Sequence, residues 1–546
     1  MLMFKFLRRE LILSSATFLL IFLAGCGGGA SNKNTSVPGT GGGNGGAGSS
    51  GPVFGAFFGM NQEHLYPCDN TSFAGPFTDA PIGSFRAWDT CKSQWPDLEP
   101  SPGTFDFDRL DTVMSAAANA GVSDVLMEVG RIPNWISSNR SDMECDAANV
   151  NGELPGLCDP PTDVAPDGTG TDASFIAFAQ ALLTHAVAEN YPLKYLEIFE
   201  EFHRSDTLTG GKVLCSTPAA GTPCSWRGTY AQMLRMTQDL RCIAKGTASD
   251  PITALKLTCG TAGYGSIGVM PGLNVSVGNA GPDPNYDSGA MVMANYLYCN
   301  QNPPASSVCN YNSEGSAATD MIGGHAYFNT NLPEKVLADI AAQHRLFSST
   351  DQSKPYFIGE GGWGQNSNVT DAGLQAAYVA RWYLSLWMTG DVKRGYWWSW
   401  DISGPQGSGG LWSPAEDGFG DCTTPDTNAD GGFYCSGGVA YNQIVNWLRN
   451  ATAVSWTCPD ANCTNQSQGV YTFTVTKANG YMGIVSWNST ATSSCPSAPC
   501  GSTPVPAAPS GFVTSQWRDL TGTTHMGAPS AVGASPIIIE NMAPTS

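Results

Sequence analysis

Between residues 53 and 450 the chain alternates short apolar runs with longer stretches whose apolar residues recur at three- and four-residue spacing, the mark of repeated strand–helix units. Eight runs predict strands: Phe54–Met60, Ile82–Trp88, Asp124–Val129, Lys194–Glu200, Leu255–Cys259, Met321–Ala326, Tyr356–Gly359 and Gly395–Trp400. Helical spacing falls over Phe107–Ala120, Phe175–Glu189, Tyr230–Ala244, Gly289–Tyr298, Pro333–Leu346, Leu374–Met388 and Ala440–Leu448. After Asn450 the period changes to two: Gly469–Thr476 and Tyr481–Trp487 are β-branched, alternating runs with no helix between them. Ser515–Asp519 and Pro536–Glu540 extend that pattern. The expected fold class is α/β, a (β/α)8 TIM barrel over 53–450 followed by a small all-β domain over 451–546.

The 546 residues exceed one ordinary compact core, and a barrel with insertions plus a small domain accounts for them. The N-terminus reads as a targeting segment. Lys5, Arg8 and Arg9 precede an apolar stretch from Leu11 to Ala24, too short for a membrane span and right for a signal peptide. It ends in Leu23-Ala-Gly-Cys26, which resembles the bacterial lipobox, where the cysteine is lipidated. Residues 27–52 are Gly- and Ser-rich, with nothing to bury, and would form a flexible tether of roughly 25–30 Å. The expectation is a lipid-anchored protein of the bacterial cell envelope, held to the membrane through Cys26.

Setting Cys26 aside leaves an even number of the seventeen cysteines, as expected in an oxidising compartment. In order they form close neighbours, 68/91, 145/158, 215/224, 242/259, 299/309, 422/435, 458/463 and 495/500, and nearest-neighbour pairing would staple individual loops. Connectivity stays open at this point. With no Cys-x2-Cys pair and six histidines, a zinc site is not expected. A net charge of −20 argues against nucleic acid as a partner and does not favour a strongly anionic one. A monomer without a cofactor is expected.

Two strand runs end in glutamate: Tyr195-Leu-Glu-Ile-Phe-Glu-Glu201 and Pro355-Tyr-Phe-Ile-Gly-Glu360. Barrel enzymes carry their reacting groups at the C-terminal ends of strands. Two carboxyls across one pocket are the minimum needed to break a glycosidic bond.

The first run, continued to Phe202-His203, resembles the strand-four segment W-E-I-W-N-E-P-N of clan A retaining glycoside hydrolases, and the second, with Gly361-Gly-Trp363, resembles that clan's strand-seven segment. Trp95-Pro-Asp-Leu-Glu-Pro-Ser-Pro-Gly-Thr-Phe105, Ile132-Pro-Asn-Trp135, Gly324-His-Ala-Tyr327 and Gly395-Tyr-Trp-Trp-Ser-Trp-Asp401 extend the likeness in the same order over residues 54–450, closest in look to family 39 and family 5-like members. The resemblance implies that Glu201 is the general acid/base and Glu360 the nucleophile. The chemistry then asks for an ionised Glu360 and a Glu201 that can hold a proton. One position departs from the clan: Glu200 stands where an Asn amide donates to the sugar, and a carboxylate accepts unless protonated. Glu200 could read a donor on the sugar, raise the acid/base by like charge, or point into structure, since ideal alternation puts Glu200 and Glu201 on opposite faces.

By the same resemblance Arg86 would support Glu360, with a bridge to Asp89 as the alternative, and His325 and Tyr327 would touch nucleophile or substrate. His64 is a further candidate. Of the fifteen tryptophans, Trp88, Trp135, Trp363, Trp398 and Trp400 fall near strand ends, where rings suit the apolar faces of sugars or simply pack the core. The resemblance implies that Trp398 or Trp400, at strand eight, floors the central subsite. Asp426-Thr-Asn-Ala-Asp430-Gly has the start of a calcium loop but lacks its twelfth-position carboxylate, so a solvated turn is expected. The expected function is a retaining glycoside hydrolase acting on a polysaccharide or oligosaccharide. The rival is an inactive surface carbohydrate-binding lipoprotein. For the β-domain, packing against the barrel is expected over a separate carbohydrate-binding role.

Overall fold

The computed structural model describes residues 54–62, 77, 80–142, 155–200, 226–246, 264, 267–272, 289–298, 313–328, 331–363, 371–401, 410–413, 422–426, 432–459, 463, 468–491 and 503–544. Eight parallel strands form one sheet: β1 (Phe58–Gln62), β2 (Ser84–Ala87), β3 (Val125–Glu128), β4 (Leu193–Glu197), β5 (Gly268–Met270), β6 (Ile322–Tyr327), β7 (Tyr356–Gly362) and β8 (Val392–Trp397). Their order, β5-β4-β3-β2-β1-β8-β7-β6, is that of a (β/α)8 barrel, nearly closed. The expected strand at Leu255–Cys259 lies outside the described residues, and among the described ones β4 pairs with Gly268-Val-Met270, a run not expected as a strand. Phe54–Phe57 is a helical turn, so β1 starts at Phe58. The seven expected helices are all present, within a few residues of their expected ends. Among the described residues, no helix is long and apolar enough to cross a membrane.

Alternation divides each strand between two environments. On β1, Phe58 turns outward onto Tyr383 and Trp387, while Gly59 faces inward, where a Cβ would lie 2.4 Å from the Tyr396 ring. Leu126, Tyr195, Met270, Met321, Phe357 and Tyr396 fill the lower interior as an apolar plug. One step towards the C-terminal ends, the inward positions become Asn61, Arg86, Glu128, Glu197, His325 and Glu360, all buried. The apolar plug below leaves this charged layer no solvent beneath it, so its members must satisfy one another.

Outer helices are started by the groups their sequences offer. Thr229 and Gln232 form a reciprocal capping box for Tyr230–Lys245, and Asp371 accepts from the Leu374 N–H at 2.9 Å to start Ala372–Met388.

Three two-residue strands, β9 (Trp412–Ser413), β10 (Thr424–Pro425) and β11 (Phe433–Tyr434), form a small sheet after the barrel. An antiparallel six-stranded sheet follows, containing β12 (Ala451–Thr457), β13 (Val470–Lys477), β14 (Met482–Asn488), β15 (Gln516–Arg518), β16 (Thr524–Met526) and β17 (Ile537–Glu540). Tyr471, Phe473 and Val475 alternate with threonines on β13 and are fully buried. Phe473 meets Trp387 of a barrel helix edge-on, and Tyr471 stacks on Trp487, whose Nε1 donates to Glu334 at 2.7 Å. Glu334 in turn receives two 2.7 Å hydrogen bonds from Arg381. The β-domain therefore packs on the barrel through aromatic rings and one buried carboxylate. Cys422–Cys435 and Cys458–Cys463 are disulfides, as nearest-neighbour pairing expects, and Cys91, Cys158 and Cys242 are also disulfide-bonded.

Candidate active site

Glu360 reaches the barrel interior through an irregularity. On regular alternation from the inward Phe357 it would point outward, but the pairing of β6 with β7 slips so that Gly324 faces Ile358 and His325 faces Glu360. Gly359 is the extra residue of this bulge, and bulges of this kind re-aim side chains at strand ends. The carbonyl of Gly359 accepts from the Asn61 side-chain amide on β1. Gly361 then faces outward, where a Cβ would lie 2.3 Å from Trp382, so no larger residue fits without moving the strand.

Four side chains converge on Glu360, which is 5% exposed. Arg86 Nη1 donates to Oε1 at 2.8 Å, and Tyr327 Oη donates to Oε2 at 2.7 Å. His325 Nδ1 lies 3.4 Å from Oε2, and the Glu200 carboxyl lies within 4.8 Å of the same group. Burial pushes the Glu360 carboxyl up, but His325, Glu200, Arg86 and Tyr327 together outweigh it and hold it at about 2. Arg86 does not bridge Glu360 alone. Its Nε and Nη2 donate to Glu197 at 2.9 and 3.2 Å, and Nη1 lies 3.4 Å from Asn61 Oδ1. A guanidinium has the fork of donors needed to serve two carboxylates at once.

Behind this group, Glu128 accepts from Gln94 Nε2 at 2.8 Å. Burial, then the charge of Glu197, pushes its carboxyl up to about 7. Asp401, after β8, is pushed up to about 7 by burial. Glu128 and Asp401 are thus held towards the neutral form near neutrality, whereas Glu360 stays ionised.

The remaining expected residues divide plainly. Arg86, Glu200, His325 and Tyr327 are brought to Glu360. Glu201, His64 and Cys26 lie outside the described residues. Trp400 is 1% exposed and meets Tyr434 edge-on, so its ring is structural; Trp398, half-buried, is the one of the pair available to a ligand. Trp135 is not brought to Glu360: its Nε1 donates to the Glu99 carbonyl at 3.0 Å and its ring meets Trp95, which packs on Phe178 of an outer helix. Trp363 is core, edge-on to Trp397. Asp426 accepts from Trp412 Nε1 at 3.2 Å, while residues 427–430 lie outside the described ones. Sequence reasoning passed over Asn61, Glu128 and Glu197. Glu197 was legible, because it shares strand parity with the inward Tyr195.

Glu200, His325 and Glu360 offer atoms within 4.8 Å of one another, a spacing a metal ion could use. A cation there would share Glu360 with Arg86, whose positive charge is already 2.8 Å from Oε1, and the set suits a proton better. Asp142, Cys158 and Asp159 also cluster, but Cys158 is tied up in a disulfide and Asp142 pairs with Arg227 at 2.9 Å.

The fold is a TIM barrel with a C-terminal β-domain, like that of clan A glycoside hydrolases. Residues 85–156, which carry β2 and β3 with Arg86 and Glu128, match the glycoside hydrolase family 42 model described as beta-galactosidase. A search of curated proteins finds no match. Among solved structures, a family 39 glycoside hydrolase from the gut symbiont Bacteroides cellulosilyticus WH2 is 13% identical, covering 89% of this chain and 81% of that one with a TM-score of 0.53. A GH39 beta-xylosidase from Caulobacter crescentus is 14% identical, covering 90% and 97%, with a TM-score of 0.52. Likeness at these identities is one of fold. With the family 42 match over residues 85–156 beside it, that likeness does not single out family 39.

Proposed function

We propose that the protein is a retaining glycoside hydrolase that cleaves glycosidic bonds of a polysaccharide or oligosaccharide, with Glu360 as nucleophile and Glu201 as general acid/base. The observation that carries this reading is the set of donors on Glu360: a buried carboxylate kept ionised by Arg86, Tyr327 and His325 at the C-terminal mouth of a barrel. Such a group has the geometry to attack an electrophilic carbon from a fixed direction. Arg86 and Tyr327 leave the carboxylate oriented, and Arg86 is itself fixed by Glu197 from the opposite side.

In the first step a Glu360 oxygen bonds to the anomeric carbon as the bond to the leaving oxygen breaks. Glu201 supplies the proton to that oxygen. In the second step Glu201 takes a proton from water, which attacks the same carbon and releases Glu360, so configuration is retained. Its position supports Glu201 in this role: it follows Glu200, which is already at the pocket, and matches the clan's acid/base. Trp398 would offer its ring to a sugar face.

The test uses residues 52–546 and the Glu360→Ala variant, incubated with plant and microbial polysaccharides while new reducing ends are counted. A fluorinated glycoside that stalls the glycosyl-enzyme should label Glu360 in the wild type. Release and labelling by the wild type alone would support the proposal. Silence from both proteins with binding to one glycan intact would replace it with a carbohydrate-binding role.

A further inference from the structure

The mouth of the barrel holds more acid than its cations can neutralise in pairs. Glu128, Glu197, Glu200 and Glu360 are all buried there, and Arg86 is already divided between Glu197 and Glu360. Glu200 is 6% exposed, and its carboxyl lies within 4.8 Å of both Glu360 and His325. Two buried carboxylates this close repel each other and each only accepts, so one proton held between them relieves the repulsion and joins them. The surroundings decide which partner holds it. Glu360 receives the Arg86 N–H and the Tyr327 O–H, with His325 alongside, all of which favour its charged form. The proton therefore belongs to Glu200.

We propose that Glu200 is a neutral carboxylic acid that donates its O–H to Glu360, a positioning residue that holds the nucleophile in the way a side-chain amide would. This inference rests on the reading of Glu360 as nucleophile, and it explains how a carboxyl can stand where the clan has Asn. An amide N–H and a carboxylic O–H both donate, so the position keeps a donor, here turned towards Glu360, and adds no charge to the site. An ionised Glu200 would instead set a second negative charge against Glu360 in a site with little water to screen it. The groups facing the pair are Arg86 from β2, Glu197 behind it on β4, His325 and Tyr327 from β6, and Glu360 itself from β7. An asparagine there would be insensitive to pH, whereas Glu200 makes the hold on the nucleophile dependent on a proton.

The experiment compares wild type, Glu200→Ala and Glu200→Gln. Glu200→Ala should lose roughly ten- to a hundredfold in kcat/KM, the loss of one hydrogen bond to a charged group. Glu200→Gln should recover most of that loss, and its profile should lack the alkaline fall that ionisation of Glu200 imposes on the wild type. Infrared difference spectra at pH 6, wild type minus Glu200→Gln, should show one protonated carboxyl and no net loss of carboxylate. A difference spectrum showing a lost carboxylate instead, or a Glu200→Gln variant as impaired as Glu200→Ala, would overturn the proposal. The spectrum needs no turnover. A protonated Glu200 in a protein that hydrolyses nothing would leave the proton assignment standing and sink the hydrolase reading. Labelling of Glu360 with no protonated carboxyl at Glu200 would do the reverse.

Discussion

Tyr327→Phe removes one hydroxyl and leaves the ring, which makes it the cleanest probe of how Glu360 is kept ionised. The Tyr327 hydroxyl donates to Oε2 at 2.7 Å, and a hydrogen bond to a charged group is worth about 1.5–3 kcal/mol. Each pH unit in a titration is worth about 1.4 kcal/mol, so the Glu360 carboxyl should rise by roughly one to two pH units. From about 2 in the intact protein, that brings it to roughly 3–4. At pH 6 the carboxylate is ionised in both proteins, and any change in rate there reports positioning alone. The decisive measurement is kcat/KM against pH from 2 to 6 on an aryl glycoside of the responding sugar. The acid limb should move upward in Tyr327→Phe. Stability gives a second reading of the same quantity. Glu360 lies below its ordinary value of 4.5, so its charge stabilises the fold above pH 4.5, and that contribution is lost as pH falls through about 2. The deficit of the variant in unfolding free energy should accordingly be full at pH 6 and shrink towards pH 2. An acid limb that stays in place, or a deficit that does not change with pH, would refute the assignment of Tyr327 as a support of the charged carboxylate.

Three further outcomes follow from other parts of the molecule. Arg381→Met strands the buried Glu334 carboxylate, which Trp487 alone would then serve, and should cost about 3–5 kcal/mol in denaturant unfolding; Arg381→Met with Glu334→Leu should regain much of it. Glu128→Gln should stabilise the protein at pH 8 and not at pH 4. The Glu128 carboxyl, pushed from 4.5 up to about 7, holds a proton that the unfolded chain has released, so stability falls as pH rises from 4.5 through 7; thermal unfolding at the two pH values checks this. Cys26→Ser should move the full chain expressed in a bacterial host from the detergent phase to the aqueous phase on detergent partitioning, if the lipobox-like Leu23-Ala-Gly-Cys26 is used as the sequence suggests.

The parts of this structure that obey simple periodicity were legible, and the site lies mostly where periodicity fails. The pattern of apolar runs placed seven of the eight barrel strands and, in the β-domain, β13, β14, β15 and β17, but not β12 or β16. It missed β5, three residues with a glycine and little pattern, in favour of Leu255-Lys-Leu-Thr-Cys259, which alternates better. Arg86 and Glu197 are inward by plain parity and need no irregularity. The two carboxyls that meet at the pocket are different. Counting by twos from Tyr195 puts Glu200 on the outer face, but the chain leaves regular strand geometry after Glu197, and Phe199 packs on Trp226 while Glu200 turns inward. Counting by twos from Phe357 puts Glu360 outside as well, and only the extra residue Gly359 brings it in, its carbonyl held by Asn61 of β1, one strand beyond β8. A bulge carries no strong local signal, since its cost is met by a partner 298 positions away in the chain. The approach of Glu200 to Glu360 follows from two such departures at once. That is why the orientation of Glu200 could not be read from the sequence, and why its proton matters: two acids forced together against parity hold only while one of them stays neutral.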